Sequence, residues 1–332
     1  MLQTRRNFLN LVRQHTPPTD ECWLHIHRNA MACRFEVTLP ATEETGVAVA
    51  TEALDEIDRL EAQLTVFRPD SEVSFVNRRA ATEAVGVEQS LFDLLVLCQQ
   101  LHVQTEGAFD ITSGPLTRCW GFLKREGRVP CEEEIAQARS LVGSEKLILD
   151  AEHQTVRYSQ PGVEINLGSI GKGYALDQVA TLLAARTPTV LLNAGASSMR
   201  AIGSSKDGEG WVVGLRHPRS KVHRLGVLRL HDCALSTSGS EEQFFTVAGR
   251  RFGHIIDPRT GWPAAGMTSV TVVTSSAAVS DALATAFFVG GRKLAESYCA
   301  THKDVLVIML ESDAQSPLVL GSHPGCAGLR DF

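Results

Sequence analysis

Over residues 22–39 two stretches alternate residue by residue, one through Trp23, His25 and His27, the other through Cys33, Phe35, Val37 and Leu39. That period of two predicts a pair of strands. The spacing then changes. Between 44 and 67, Ala50, Ala53, Leu54, Ile57, Leu60, Ala62 and Leu64 recur mostly at helical intervals, and the pattern stops before the turn sequence Arg68-Pro69-Asp70-Ser71. Ser90, a candidate N-cap, opens a second predicted helix that runs to about Thr105 and is followed by Gly107. Residues 146–150 and 155–158 flank a polar turn as hairpin strands do, 172–185 has helical spacing, and 189–193 reads as a buried strand. Four or five further strands are expected over 210–273, helices over 281–289 and 292–300, and a late buried strand over 305–310. No repeat, low-complexity block or linker interrupts the pattern. Strands and helices mixed with hairpins predict α+β layers rather than strictly alternating βαβ units. The expected organisation is an N-terminal tail over 1–21 and one domain over 22–332.

Composition narrows the partners more than the fold. The chain has 332 residues, is 43% hydrophobic and 21% charged, and carries a formal net charge of -6 with the two signs interspersed. That balance suits a globular protein with a sizeable core and gives no basic patch for nucleic acid or an anionic membrane. The eight cysteines stand singly, without a Cys-x-x-Cys pair, which argues against a zinc ribbon or a thioredoxin-type site. Several lie in apolar segments, as Cys98 does, and fit a reducing compartment better than a disulfide framework. Thr4-Arg5-Arg6-Asn7-Phe8-Leu9 resembles the start of a twin-arginine export signal, but Arg13, Gln14, His15 and two prolines follow where an apolar stretch belongs. The expectation is therefore cytoplasmic, with export to the periplasm or cell envelope as the alternative. No run approaches the length of a transmembrane helix.

Three stretches can carry chemistry. Glu164-Ile165-Asn166-Leu167-Gly168-Ser169-Ile170-Gly171-Lys172-Gly173-Tyr174 reads as a strand entering a glycine-rich helix start. Such a turn presents backbone N–H groups and a positive helix end to an anion, and Lys172 adds a full charge. The spacing matches neither a Walker A loop nor a dinucleotide fingerprint, and a plain tight turn fits it equally. In Val279-Ser280-Asp281-Ala282-Leu283-Ala284-Thr285, Ser280 is a candidate N-cap, and Asp281 and Thr285 are four apart on one helix face. A carboxylate and a hydroxyl so placed can hold magnesium with substrate phosphates, although a first-turn Asp also serves as a plain helix-end charge. In Gly253-His254-Ile255-Ile256-Asp257-Pro258-Arg259-Thr260-Gly261, His254 is a candidate general base or a structural strand-edge histidine, and Asp257 a turn former. Gly107-Ala108-Phe109-Asp110 and Ser236-Thr237-Ser238-Gly239-Ser240 read singly as loops.

Taken in order, these pieces resemble the ApbE family, the FAD:protein FMN transferases. The resemblance runs from Met31 to Gly291 and adds Asp70-Ser71-Glu72-Val73-Ser74 with Asn77, and Asn193-Ala194-Gly195. It implies a mixed α/β architecture related to the T-fold, with a cleft for FAD. It also implies FAD as substrate, Mg2+ as cofactor, and transfer of FMN to a Thr or Ser hydroxyl of an acceptor protein with release of AMP. By motif matching, Met31, Ala108, Phe109, Asp110, Asn166, Lys172 and His254 would line the nucleotide. The metal would be held by the Ser169 carbonyl, Asp281 and Thr285, and His254 would activate the acceptor hydroxyl. The sequence departs from the family pattern at Met31-Ala32-Cys33, where Met-Gly-Thr is common, at Asn166, where Asp is usual, and at Ala196-Ser197, where Gly-Asp is usual. A magnesium-dependent FAD pyrophosphatase and a non-catalytic flavin-binding protein are the alternatives on the same site.

Overall fold

The computed structural model describes residues 22–41, 46–205, 208–220, 223–241 and 243–330. The 1–21 tail, with its Arg5-Arg6 pair, lies outside them. Trp23–Ala30 (β1) and Cys33–Pro40 (β2) form the expected hairpin, closed by Met31 and Ala32, both at positive φ. Helices Gly46–Leu64 (α1) and Glu72–Arg79 (α2) follow, the second capped by Ser71, whose side chain accepts from the Ser74 N–H. Val85–Gly86 (β3), Leu147–Asp150 (β4) and Thr155–Tyr158 (β5) make a small antiparallel sheet. Between its first and second strands come Gln89–Gln104 (α3), Gly114–Cys119 (α4) and Glu132–Arg139 (α5). Next are Gly171–Ala184 (α6), Val190–Ala194 (β6), Ser198–Ile202 (β7), Trp211–Arg216 (β8) and Arg224–Leu230 (β9). The chain continues through Ala234–Gly239 (β10), Phe244–Val247 (β11), Arg250–Gly253 (β12) and Met267–Thr274 (β13). Ala277–Thr301 (α7), Val305–Glu311 (β14), Leu318–Ser322 (β15) and Cys326–Arg330 (β16) complete it.

The main sheet runs β1-β2-β6-β7-β10-β13-β14-β15, with every neighbour antiparallel, so its order in space is its order along the chain. The other elements are inserted between these strands, except β16, which follows β15 and pairs with β9. Helices α1, α6 and α7 cover one face, and the small sheet β16-β9-β8 covers the other. The two-sided burial is written at period two. On β14, Val305, Val307 and Met309 join the helix-side core, whereas Leu306, Ile308 and Leu310 join the core against the small sheet. β13 is buried at every position, as a central strand covered on both faces must be. A third, satellite core of Leu116, Trp120, Phe122, Ile135, Phe252 and Ile256 joins α4 and α5 to the β11–β12 hairpin.

The α+β expectation holds, with corrections in detail. The described residues of 210–273 form six strands rather than four or five, because the four-residue strands β11 and β12 are too short to show periodicity. The lead-in to the glycine-rich turn forms no strand and is tied to the neighbouring loop by a bridge between Ser113 and Glu164 and by the Asn166 N–H donating to the Ile111 carbonyl. Ser236–Gly239 belongs to strand β10 rather than to a loop. The N-cap of α3 is Glu88, and Ser90 lies inside the helix. The predicted helices over 281–289 and 292–300 are two arms of α7, broken at Gly291, whose φ of 71° leaves the helical region. α7 begins at Ala277 behind the N-cap Ser276, so Asp281 sits in the second turn and not the first.

Candidate active site

That shift in the helix start removes the ordinary explanation for Asp281. It is one turn too deep to act as a helix-end charge, and it is only 5% exposed. A buried carboxylate needs partners, and Asp281 finds them on the glycine-rich turn and the neighbouring strand. The Gly173 N–H donates to it at 3.1 Å, Ser198 Oγ at 3.3 Å and Lys172 Nζ at 3.5 Å. The turn and the α7 carboxylate, 108 residues apart in the chain, therefore share one point in space. Gly173 makes this approach possible, since a Cβ there would lie 2.0 Å from the Ala277 carbonyl oxygen.

The turn itself is held from below. Asn77 on α2 brackets Ile165, donating to its carbonyl and accepting from its N–H, both at 2.9 Å, and the Tyr158 hydroxyl donates to the same Asn77 oxygen at 2.7 Å. Asn166 accepts from the Gly168 N–H at 2.9 Å, which folds the chain toward α6. The α6 N-cap is Ile170, which has no side-chain oxygen to cap the helix; the Leu167 carbonyl takes the Ile170 and Gly171 N–H groups and Asp281 takes that of Gly173, so what the helix end offers an anion is its positive potential beside Lys172. Ser169 lies in this turn, half-buried, two residues before the helix.

Beside Asp281, hydroxyls line the contact between β10 and α7. Ser236 pairs with Ser280 at 3.0 Å, and Ser238 with Thr285 at 3.2 Å, while Thr237 points to the opposite face and meets Thr271 at 2.8 Å. Thr285 also donates to the Asp281 carbonyl at 3.4 Å. Carboxylate, hydroxyl and backbone carbonyl are hard oxygen donors of the kind magnesium takes. Among the described residues no three His, Cys, Asp or Glu side chains converge as a metal cluster. A divalent ion at Asp281 would thus draw its remaining oxygens from Thr285, a turn carbonyl and a bound phosphate.

His254 follows β12 directly. Its Nδ1 lies 3.0 Å from the Gln243 carbonyl oxygen, which can only accept, so Nδ1 carries the proton and Nε2 is left with a lone pair. Burial pushes the imidazole below its ordinary value, and the Lys172 charge pushes the same way against the pull of the Gln243 carbonyl. The ring is thereby kept neutral and basic at Nε2. Asp257 forms the turn as expected, accepting from the Arg259 N–H at 2.9 Å and pairing with the Arg259 guanidinium at 2.9 and 3.0 Å.

The remaining resemblance-implied residues are placed differently. Met31 is half-buried in the hairpin turn, with its N–H held by Glu61 at 2.7 Å. Its turn meets the β6–β7 turn at the same end of the sheet, where a Cβ on Gly195 would touch the Cys33 Cβ at 2.9 Å. Ala108 and Phe109 are each 1% exposed and pack in the main core, so neither offers surface to a ligand in this conformation. Asp110 is committed locally, accepting from the Thr112 N–H at 2.7 Å and hydroxyl at 2.6 Å, and standing 3.2 Å from His102 Nδ1. That contact with Asp110 raises the His102 imidazole above its ordinary value. Sequence reasoning missed Asp177, Ser198 and Gln243. Only the i, i+4 spacing of Gly173 and Asp177 signals that they share a helix face.

The model of the ApbE family matches residues 31–309. The chain belongs to the ApbE family. A relative named FAD:protein FMN transferase from Vibrio cholerae is 30% identical over 82% of this chain and 83% of its own length. One of the same name from Haemophilus influenzae is 29% identical over 76% and 75%. Among solved structures, an ApbE protein from Thermotoga maritima is 28% identical and superimposes with a TM-score of 0.83 over 91% of this chain and 97% of that one. A flavin transferase ApbE from Vibrio cholerae is 26% identical, with a TM-score of 0.78 over 91% and 97%. ApbE membership joins stretches from Met31 to the late strand β14 into one fold, the sheet and helices that bring Lys172 to Asp281.

Proposed function

We propose that this protein transfers the FMN half of FAD to a Thr or Ser hydroxyl of an acceptor protein and releases AMP. The observation that carries the chemistry is the meeting of Asp281 with Gly173 and Lys172, which sets an oxygen donor against an anion-binding helix end. The FAD diphosphate would lie on that turn, with Lys172 and the α6 N-terminus neutralising its charge. Asp281, Thr285 and the Ser169 carbonyl would hold Mg2+, which when bound draws charge from the phosphates. The acceptor oxygen bonds to the FMN-side phosphorus, the bond from that phosphorus to the bridging oxygen breaks, and AMP leaves with that oxygen. The proton of the attacking hydroxyl passes to Nε2 of His254, whose lone pair the Gln243 contact keeps available. The nucleotide is lined by Met31, Asn166, Lys172 and His254. The assignment of Ala108, Phe109 and Asp110 to it requires their loop to move from its buried position.

Incubation with FAD, Mg2+ and a Ser/Thr-containing acceptor peptide tests this. Stoichiometric AMP and a peptide heavier by FMN less one water are expected from chromatography and mass spectrometry. AMP with all flavin free in solution would replace transfer by pyrophosphate hydrolysis, and retained FAD with no AMP would leave a binding protein.

A further inference from the structure

The phosphate-binding turn and the metal-binding carboxylate belong to different helices, and something must hold their register. α6 and α7 meet where Gly173 lies against the Ala277 backbone, and a carboxylate from each helix reaches the other: Asp281 to the Gly173 N–H and Asp177 to the Ala277 N–H. Gly173 and Asp177 are four apart on one face of α6, as are Ala277 and Asp281 on α7, so one face of each helix is turned to the other. At one end of the contact, Gly173 donates to Asp281. At the other, Asp177 accepts from Ser276 Oγ at 2.7 Å and from the Ala277 and Ala278 N–H groups at 2.8 and 2.9 Å. A carboxylate on the open N–H groups of a helix is favoured by charge-assisted bonding and by the helix dipole. Here the carboxylate comes from the helix that also presents the phosphate turn. Ser276 already caps α7 by accepting from Val279, so the extra cap from α6 joins the two helices rather than merely starting one. A slip of one turn, about 5.4 Å, would carry Asp281 away from the turn.

We infer that Asp177 is a positioning residue for the metal site, acting through α7 to hold Asp281 and Thr285 against the diphosphate turn. This deepens the proposed function and rests on its metal assignment. Arg200, with Nε 3.7 Å from the Asp177 carboxylate, balances its charge from β7. The test uses the whole protein with FAD bound and no acceptor, and reads Mn2+ binding by electron paramagnetic resonance alongside the kinetics of AMP release with acceptor. Asp177→Ala should weaken Mn2+ binding by about 10–100-fold, the range for groups that support metal ligands. FAD affinity without metal should be unchanged, and the lost rate should return at high Mg2+. Asp177→Asn, which keeps one acceptor oxygen and the shape, should fall between and guards against a variant that fails to fold. Unchanged Mn2+ affinity in a folded Asp177→Ala or Asp177→Asn protein overturns the inference, even if either melts at lower temperature. Asp281→Ala separates the two claims: full Mn2+ binding without Asp281 would overturn the metal assignment itself, and with it the role given to Asp177.

Discussion

Asp281 and His254 both sit in environments set by residues far from them in the chain. Asp281 is buried beyond the reach of helix capping, so Asp281→Ala should leave far-UV circular dichroism intact and reduce metal-dependent AMP release to background. Retained activity would remove Asp281 from the metal site. For His254, replacement by Ala should slow transfer by about 10²–10⁴-fold, as loss of a general base does, and a loss confined to FAD affinity would recast it as a binding residue. Its lowered proton affinity also fixes a pH signature. The acid limb of the rate profile should fall below the ordinary imidazole value of 6.5. Between 6.5 and the lower folded value, the unfolded chain binds more protons than the native one, so stability is lost as pH falls through that window. His254→Gln should flatten this dependence in denaturant melts, and an unchanged slope would show that burial is not what holds the ring neutral.

At the scale of elements, one turn of the main sheet uses residues poorly suited to it. Met31 and Ala32 close the β1–β2 hairpin at φ 48° and 59°, the positions that a two-residue primed turn usually gives to Asn and Gly. An L-residue in that region costs roughly 1–2 kcal/mol, so Ala32→Gly should stabilise the protein by about 1 kcal/mol, less the added freedom of glycine when unfolded. An unchanged urea midpoint would mean that the hairpin relaxes in solution. The α6–α7 contact is the reverse case. A Cβ at position 173 meets backbone rather than a movable side chain, so Gly173→Ala should separate the turn from Asp281 and abolish activity before it abolishes folding.

Across the whole molecule, the proposed base and the proposed metal carboxylate stand on different supports. Asp281 and Lys172 ride on the helices packed against the main sheet, whose core also takes Ile255, whereas Phe252 and Ile256, two residues to either side of His254, are anchored in the satellite core. Trp120 sits at its centre, fully buried, with Nε1 donating to the Gly261 carbonyl at 2.8 Å and Trp262, Phe252 and Phe245 around the ring. Trp120→Ala should cost about 3–5 kcal/mol in that cluster. Hydrogen exchange should then quicken at His254, Asp257 and Gly261 while the β13 amides stay protected, and transfer should fail with the main sheet intact. Uniform loss of protection in both regions would show that the two cores unfold as one.

Local repetition was enough for much of this protein. Alternation around Phe35 and Val37, helical spacing from Ala50 to Leu64, and the apolar run at Val305 each name an element, because periods of two and 3.6 are properties of neighbouring residues. The chemistry-bearing types, Lys172, His254, Asp281 and Thr285, could also be picked out by spacing and by resemblance to ApbE. Other features were settled only by packing across the fold. Ser276 and Ser280 are equally good caps in isolation, and Asp177, a hundred residues away, completes the cap at Ser276. Likewise, Ala108 and Phe109 look available in a glycine-led loop and are buried because the core closes over them. Whether Asp281 meets Lys172 or merely caps a helix depends on how two helices pack, and that contact is absent from any short window of the chain.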